Sequence, residues 1–464
     1  MNERTHRWVV LAVCCASIFL VGLDTTVVNV ALPSIGRDLG LDLRQLEWAV
    51  DAYTLVLAGL LITSGALADR VGRRRIFRIG LVLFALGSAG CALAPGLHEL
   101  VAARVVQGVG GSMLSPVALA IVVAAITDPR ERAQAIGVWA AVFGLSMAAG
   151  PVLGGALITG AGWRPVFWAN LPIIAVVLVL TAVHVPESRS PRPRRLDLPG
   201  QALLIVLVGT VVAVLIEGPR WGFGSGQALA GYAVIVAAAA AFARVELRRA
   251  EPLVDLRLFG RLPFSAAVGG AVVVFVALNV TLLLGTLYLQ RVRGLSPLAA
   301  GAVTLPMALA ATVCAPLSGH LVGRYGPRLP LRLAGVSTAL GGLLLAGLTD
   351  RTPLPVLLAG YLCAGIGIGF ANAPITNTAV SGLPPDRAGV AGGIASTARQ
   401  VGAALGIALA GGLVAETGAA DLAAATRPGW VLVAACGLAV LLIAQAAPVS
   451  RAAAGARTPE PVRR

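Results

Sequence analysis

The sequence predicts an all-α integral membrane protein of fourteen transmembrane helices, with two six-helix halves and two further helices inserted between them. Three observations carry the prediction: apolar runs of membrane length, arginines segregated to alternate connectors, and an internal repeat. Of 464 residues, 57% are hydrophobic and 12% charged, at a mean hydropathy of +0.86. Soluble domains carry about 25% charged residues.

A span needs about 20 apolar residues. In chain order the candidate runs are 8–33, 46–68, 76–94, 99–124, 134–158, 164–184, 199–217, 226–243, 264–289, 297–321, 329–348, 353–377, 389–416 and 429–447. The first run is too long for a cleavable signal peptide and lacks a cleavage-type end, so it is expected to be retained. Runs seven and eight have the least distinct limits, whereas short Gly/Pro turns bound the others.

All 36 basic residues are arginine, and the net charge is +15. Most arginines fall in the two tails, in connectors 69–78, 128–132, 184–198, 243–263 and 323–332, and at Arg387. The opposite side receives Arg37, Arg44, Arg164, Arg220, Arg291, Arg293, Arg351 and Arg427, and Arg104 and Arg399 fall within spans. This asymmetry fits the positive-inside rule with both termini cytoplasmic. An odd number of spans would scramble it. The charge is topological, and no nucleic-acid partner is expected.

Cys14, Cys15, Cys91, Cys314, Cys363 and Cys436 all lie in apolar runs without metal-ligand spacing, and the 4 histidines are scattered. No metal, cofactor or enzymatic activity is expected. No GxxxxGK phosphate loop occurs either, which removes an ATP-driven pump within this chain.

Gly65-Ala-Leu-Ala-Asp69-Arg70-Val-Gly72-Arg73-Arg74 recurs as Gly319-His-Leu-Val-Gly323-Arg324-Tyr-Gly326-Pro327-Arg328. Gly108-x-Gly110 returns as Gly365-x-Gly367, and Gly154-Gly155 as Gly411-Gly412. Near-constant offsets of this kind mark transporters built from parallel repeats. The expected organisation is an N-terminal six-helix half at 1–187, a linker with helices seven and eight at 188–263, a C-terminal half at 264–447, and a disordered tail at 448–464. The Pro/Arg-rich patch 188–195 is also expected to be disordered.

Five stretches of the first half stand out. Leu23-Asp24-Thr-Thr-Val-Val-Asn29-Val-Ala-Leu-Pro33 lies in span one, and the Gly65 to Arg75 connector follows span two. Span four carries Arg104-Val-Val-Gln107-Gly108, and span five Gly150-Pro151-Val-Leu-Gly154-Gly155. Trp163-Arg164-Pro-Val-Phe-Trp-Ala-Asn170-Leu-Pro172 leads into span six. In this order and at these spacings the chain resembles the fourteen-helix drug:proton antiporter branch of the major facilitator superfamily, which contains multidrug and antibiotic-efflux transporters. The resemblance covers the whole chain. It implies the major facilitator fold and proton-coupled, alternating-access efflux of amphipathic, drug-like compounds. Asp24 then takes up and releases the proton or meets a cationic substrate, and Arg104 favours proton release.

Physical chemistry runs parallel to that implication. A carboxylate deep in a span is costly unless it has a partner or a proton. A guanidinium beside it stabilises the charged form. The plainer readings are a packing carboxylate at Asp24 and an interfacial, snorkelling Arg104. For Gly65, Asp69, Arg70, Gly72, Arg73 and Arg74 the resemblance implies a cytoplasmic latch, while positive-inside charge alone accounts for the arginines. Gly323 and Pro327 replace Asp69 and Arg73 in the second copy, so any latch is asymmetric. Gly150, Pro151, Gly154 and Gly155 read as a kinked, closely packed helix between the halves, against ordinary small-residue packing. Ile407 and Ala408 stand at the positions matching Gly150 and Pro151, so the signature occurs once.

Possible cavity residues are Asn29, Asp51, Tyr53, Gln107, Asn279, Arg399 and Glu416. Arg399 needs an anionic partner, whereas Glu416 and Glu217 sit where a merely interfacial role is equally open. Expected partners are an amphipathic small molecule, protons and the bilayer, with the protein acting as a monomer. A composition rich in Ala, Arg, Gly and Pro without Lys points to a bacterial plasma membrane. The alternatives are an uptake or metabolite exchanger on the same fold, against which the single Gly-Pro signature argues, and a non-transporting membrane sensor.

Overall fold

The computed structural model describes residues 3–126, 129–189, 196–249, 251–380, 385–414 and 422–447. Glu416, the tail and most of the Pro/Arg-rich patch lie outside the described residues. Fourteen helical segments follow one another: α1 Glu3–Leu39, α2 Leu43–Val71, α3 Arg73–Leu93, α4 Leu97–Ala125, α5 Pro129–Ala161, α6 Arg164–His184, α7 Leu198–Trp221 and α8 Gly226–Arg248. Then come α9 Leu262–Val292, α10 Pro297–Tyr325, α11 Arg328–Ala346, α12 Leu354–Val380, α13 Pro385–Val414 and α14 Leu422–Ala446. Among the described residues thirteen helices are long and apolar enough to cross a bilayer, and α5 adds the shorter apolar stretch Ala149–Ala161. The protein is a multi-pass membrane protein.

Packing repeats between the halves. In the first, α4 packs on α1, α2 and α3, α5 on α1, and α6 on α1 and α3. In the second, α12 packs on α9, α10 and α11, α13 on α9, and α14 on α9 and α11. Each α1–α6 contact thus has a counterpart in α9–α14, as the internal repeat predicts. The halves meet along two equivalent seams, α5 with α10 and α2 with α13. Helix α7 covers the second seam by packing on α2 and α13, and α8 packs on α7. This is the major facilitator architecture with an inserted helical pair.

The ends of the elements have local causes. Helix α1 runs past Pro33 to Leu39, beyond the apolar run, because Ile35 is buried and Gly36 lies against Leu46 of α2. A proline removes one helical hydrogen bond, a loss that flanking packing can offset. Gly40 then takes φ 65° and stops the helix. Asp42 caps α2 with a reciprocal bond to Gln45. Helix α6 is interrupted at Ala169, and α9 ends in a π-helical turn, Tyr288–Val292.

The close contacts between halves lie at the end of the bundle away from the start of α1 and the finish of α14, here called the far end. A Cβ on Gly155 of α5 would stand 2.6 Å from the Pro297 carbonyl of α10, and one on Gly301 would overlap the Pro151 carbonyl. Gln290 Nε2 donates to the Val30 carbonyl at 3.1 Å, tying α9 to α1. Toward the other end of α10, a Cβ on Gly319 or Gly323 would meet no neighbour.

Candidate coupling site

The site is made possible by the glycines of α4. A Cβ on Gly110 would collide with Phe84 and Gly80 of α3, and one on Gly108 would come within 2.9 Å of the Tyr53 carbonyl of α2. On α3, a Cβ on Gly87 would stand 2.5 Å from the Gln107 nitrogen. Missing side chains let α4 wedge between α2 and α3, as in small-residue membrane interfaces. The wedge carries Arg104 and Gln107, one turn apart, into the interior beside α1.

There Arg104 Nη1 donates to Asp24 Oδ2 at 2.6 Å and to Gln107 Oε1 at 2.7 Å, and Nε donates to the Ala49 carbonyl at 3.0 Å. Gln107 Nε2 donates to Asp24 Oδ1 at 2.8 Å and to Ser88 Oγ at 2.9 Å. Ser88 also accepts from Asn170 Nδ2 at 3.2 Å. Both side chains of the Asp24–Arg104 pair are 1% exposed, so Arg104 is not a snorkelling interfacial residue. The guanidinium lies 4.3 Å from the Tyr53 ring centre, and Tyr53 meets Phe84 edge-on. Among the described residues the Arg104 Nη2 has no hydrogen-bond partner.

Each Asp24 oxygen accepts a hydrogen bond, and the guanidinium touches one of them. The arrangement is all-or-none. Withdrawing Arg104 would leave a buried, uncompensated carboxylate, a state costing about 3–5 kcal/mol in comparable buried pairs. Binding a proton removes that cost.

In the connector between α2 and α3, Asp69 Oδ1 accepts from Arg73 Nε at 3.0 Å and Nη2 at 2.8 Å. That pair is internal to its own half, and Arg70 is exposed. Gly72 takes φ 126°, and a Cβ there would be 2.7 Å from Glu187 Oε1. Glu187 accepts from the Arg74 nitrogen at 3.0 Å, the Ser188 carbonyl accepts from the Arg73 nitrogen at 2.9 Å, and Arg74 Nη1 reaches the Val185 carbonyl at 3.3 Å. An acid following α6 thus caps α3, where the helix dipole welcomes negative charge.

In α5 the signature glycines serve two neighbours. A Cβ on Gly150 would overlap Thr26 of α1, and one on Gly154 would stand 3.2 Å from Val27, while Gly155 faces α10.

The remaining cavity candidates separate. Tyr53 and Gln107 belong to the Asp24–Arg104 network. Asn29 donates within its own helix to Thr25 and lines a space of about 10 Å³, room for one water, with Thr26, Pro151, Thr286, Gln290 and Thr304. Asn279 donates to the Phe275 carbonyl of its own helix. Arg399 is half-buried and donates to Ser396 Oγ at 2.5 Å, with no carboxylate partner among the described residues. Asp51 is fully buried. Glu217, open to a merely interfacial reading from sequence, accepts from Arg44 at 2.8 Å and from Trp48 Nε1 at 3.0 Å, strapping α7 to α2. Ser88 and Glu187 gave no sequence signal; Glu47 was likewise not singled out, although an acid just inside an apolar run is the signal that would have found it.

Comparison with known proteins follows this geometry. The family model for the Major Facilitator Superfamily matches residues 14–407. The chain belongs to the major facilitator superfamily. It is 40% identical over 398 residues to the multidrug resistance protein Stp of Mycobacterium tuberculosis, covering 86% of this chain and 74% of that protein. The tetracenomycin C resistance and export protein of Streptomyces glaucescens is 36% identical over 416 residues, 89% of this chain and 77% of its own. The multidrug efflux pump LfrA of Mycolicibacterium smegmatis is 34% identical over 410 residues, covering 88% and 81%. A crystal structure of the nucleoside transporter NupG superposes with a TM-score of 0.67 at 11% identity, over 94% of this chain and 99% of that one. That likeness concerns the fold. The chain is thus a major facilitator transporter of the branch that contains multidrug efflux pumps.

Proposed function

We propose that this transporter exports amphipathic, drug-like compounds or antibiotics from a bacterial cell in exchange for protons, with Asp24 as the proton carrier and Arg104 as its counter-charge. The observation that carries the reading is the buried Asp24–Arg104 contact of 2.6 Å, completed by Gln107. The efflux assigned to relatives by name supports the direction of transport. The arginine asymmetry supports a cytoplasmic location for both termini, so the far end faces outward and the structure is a state closed to the outside.

Alternating access then works through the two seams. Parting of α5 from α10 and of α2 from α13 opens the far end. Movement of α1 relative to α4 separates Asp24 from Arg104, and the bared carboxylate takes a proton from outside. Reclosure returns Arg104 to Asp24 and releases the proton inward. Substrate and proton need not share a residue, because coupling requires only that each bias the same conformational equilibrium. Asp69 with Arg73, and Glu187 on α3, keep the α2–α3 connector rigid as the halves rock. The glycines of α5 let the outer seam close without a proton-leaking gap. The halves bounded at 1–187 and 264–447 move as the two bodies, within a single monomer.

The test is proton-gradient collapse in inverted membrane vesicles on adding a panel of lipophilic drugs and dyes. Wild type gives substrate-dependent collapse, and Asp24→Asn and Arg104→Ala do not. Collapse that survives Asp24→Asn removes Asp24 from the coupling path.

A further inference from the structure

Glu47 and Asp51 lie one helical turn apart on α2, at 1% and 0% exposure. Among the described residues none of their four carboxyl oxygens has a hydrogen-bond partner. Residues at this spacing share a helix face. Opposite Glu47 stands Gly411 of α13, where an added Cβ would overlap the Glu47 carboxyl group. The close approach of Gly411 leaves no room between it and Glu47 for a metal ion or a substrate group, and among the described residues no metal-binding cluster includes either acid. A proton needs no such room.

The surrounding charges are already committed. On α2 itself, Arg44 contacts Glu217 of α7 at 2.8 Å and Asp42 at 3.4 Å. Glu217 also holds Trp48, and so adds negative charge on the α7 side. From α4, Arg104 is engaged by Asp24 of α1, Gln107 and the Ala49 carbonyl. From α13 comes Gly411, and Arg399 lies farther along that helix toward its start, bound to Ser396. Among the described residues no cation balances the two acids. Burying one unpaired carboxylate is costly, and two adjacent ones also repel.

We propose that Glu47 and Asp51 form a second proton-binding site, over which the α2–α13 seam closes only when both carboxyl groups carry a proton. Each carboxylate gains its proton from water while the far end is open and returns it to water when the seam reopens. The inference rests on the reading that the far end faces outward, where it makes closure respond to outside pH. Gly411 is the complementary half of the device, since any side chain there would occupy the place of the neutral acid.

The test measures far-end opening by pulsed spin-label distances between His98→Cys, in the first turn of α4, and Asp350→Cys, in the α11–α12 connector, both exposed at the far end, with the six native cysteines replaced and the transporter in nanodiscs. A population ratio linked to n protons changes by up to about 10^n-fold per pH unit. The closed-to-open ratio in wild type should fall with rising pH, with a limiting slope near two above the pH range in which bared Asp24 takes its own proton on opening. Glu47→Gln and Asp51→Asn should each lower it by one, and the double variant should stay closed throughout. Infrared difference spectra should show protonated-carboxyl bands in closed wild type that disappear singly in the two variants. A flat wild-type response, or a double variant that keeps the wild-type slope, overturns the proposal. Asp24→Asn separates the two readings: it should abolish proton–substrate exchange and keep the limiting slope of two, while removing the opposing uptake of one proton that opening brings to Asp24. A response lost in Asp24→Asn and kept in the double variant refutes the second site alone.

Discussion

Gly155→Ala is the most direct perturbation of the seam between α5 and α10. The added Cβ would stand 2.6 Å from the Pro297 carbonyl oxygen, 2.7 Å from Leu298 Cα and 2.9 Å from the Leu298 nitrogen. All three are backbone atoms at the start of α10, so no rotamer change relieves the contact and the helix itself must shift. Overpacking of this kind costs about 1–3 kcal/mol. The cost falls on the far-end-closed state, because opening separates α5 from α10. The closed-to-open ratio should therefore drop about 5- to 150-fold. The spin-label pair at positions 98 and 350 reads this as growth of the long-distance population. Gly160→Ala, on the same helix with no atom within 4 Å of its Cβ, should leave the distribution unchanged. An unchanged distribution in Gly155→Ala, or an equal shift in Gly160→Ala, would refute the assignment of this seam as the closure surface.

Two further outcomes follow from the geometry. Arg104→Lys should not restore exchange, because an ammonium cannot span Asp24, Gln107 and the Ala49 carbonyl while stacking on Tyr53; vesicle exchange near the Arg104→Ala level checks this, and wild-type exchange would contradict it. Glu187→Gln should lower stability by about 0.5–2 kcal/mol through the weakened cap on α3; a melting-point series at constant lipid content reads it, and an unchanged melting point would deny Glu187 that role.

The fold was legible because a bilayer imposes length, polarity and charge asymmetry on each segment separately. The fourteen runs, the weakly bounded seventh and eighth among them, each correspond to a helix. The repeat in Gly65–Arg74 and Gly319–Arg328 predicted the matching contact patterns of the two halves. Boundaries were less accessible. Helix α1 continues through Pro33 because Ile35 is buried and Gly36 packs on Leu46 of α2, which is tertiary information.

The candidate site was partly legible. Asp24 and Arg104 stand out as charges within apolar runs, but their contact required the α4 glycines to bring two distant segments together. Ser88 carried no signal, since a serine in an apolar helix is common and only its position between Gln107 and Asn170 gives it a role. Glu187 looked like an ordinary connector acid until the turn at Gly72 placed the start of α3 against it. Arg399 shows the reverse: its charge demanded an anionic partner, and among the described residues it has only Ser396.

The central claim is that Asp24 couples proton movement to substrate movement. The deciding measurement is transport by Asp24→Asn in proteoliposomes under two regimes, substrate–substrate exchange without a gradient and accumulation driven by an imposed pH gradient. The account predicts that exchange persists, because a neutral residue in place of Asp24 still allows the seams to open and close, while gradient-driven accumulation is lost. Accumulation at the wild-type level in Asp24→Asn would contradict it.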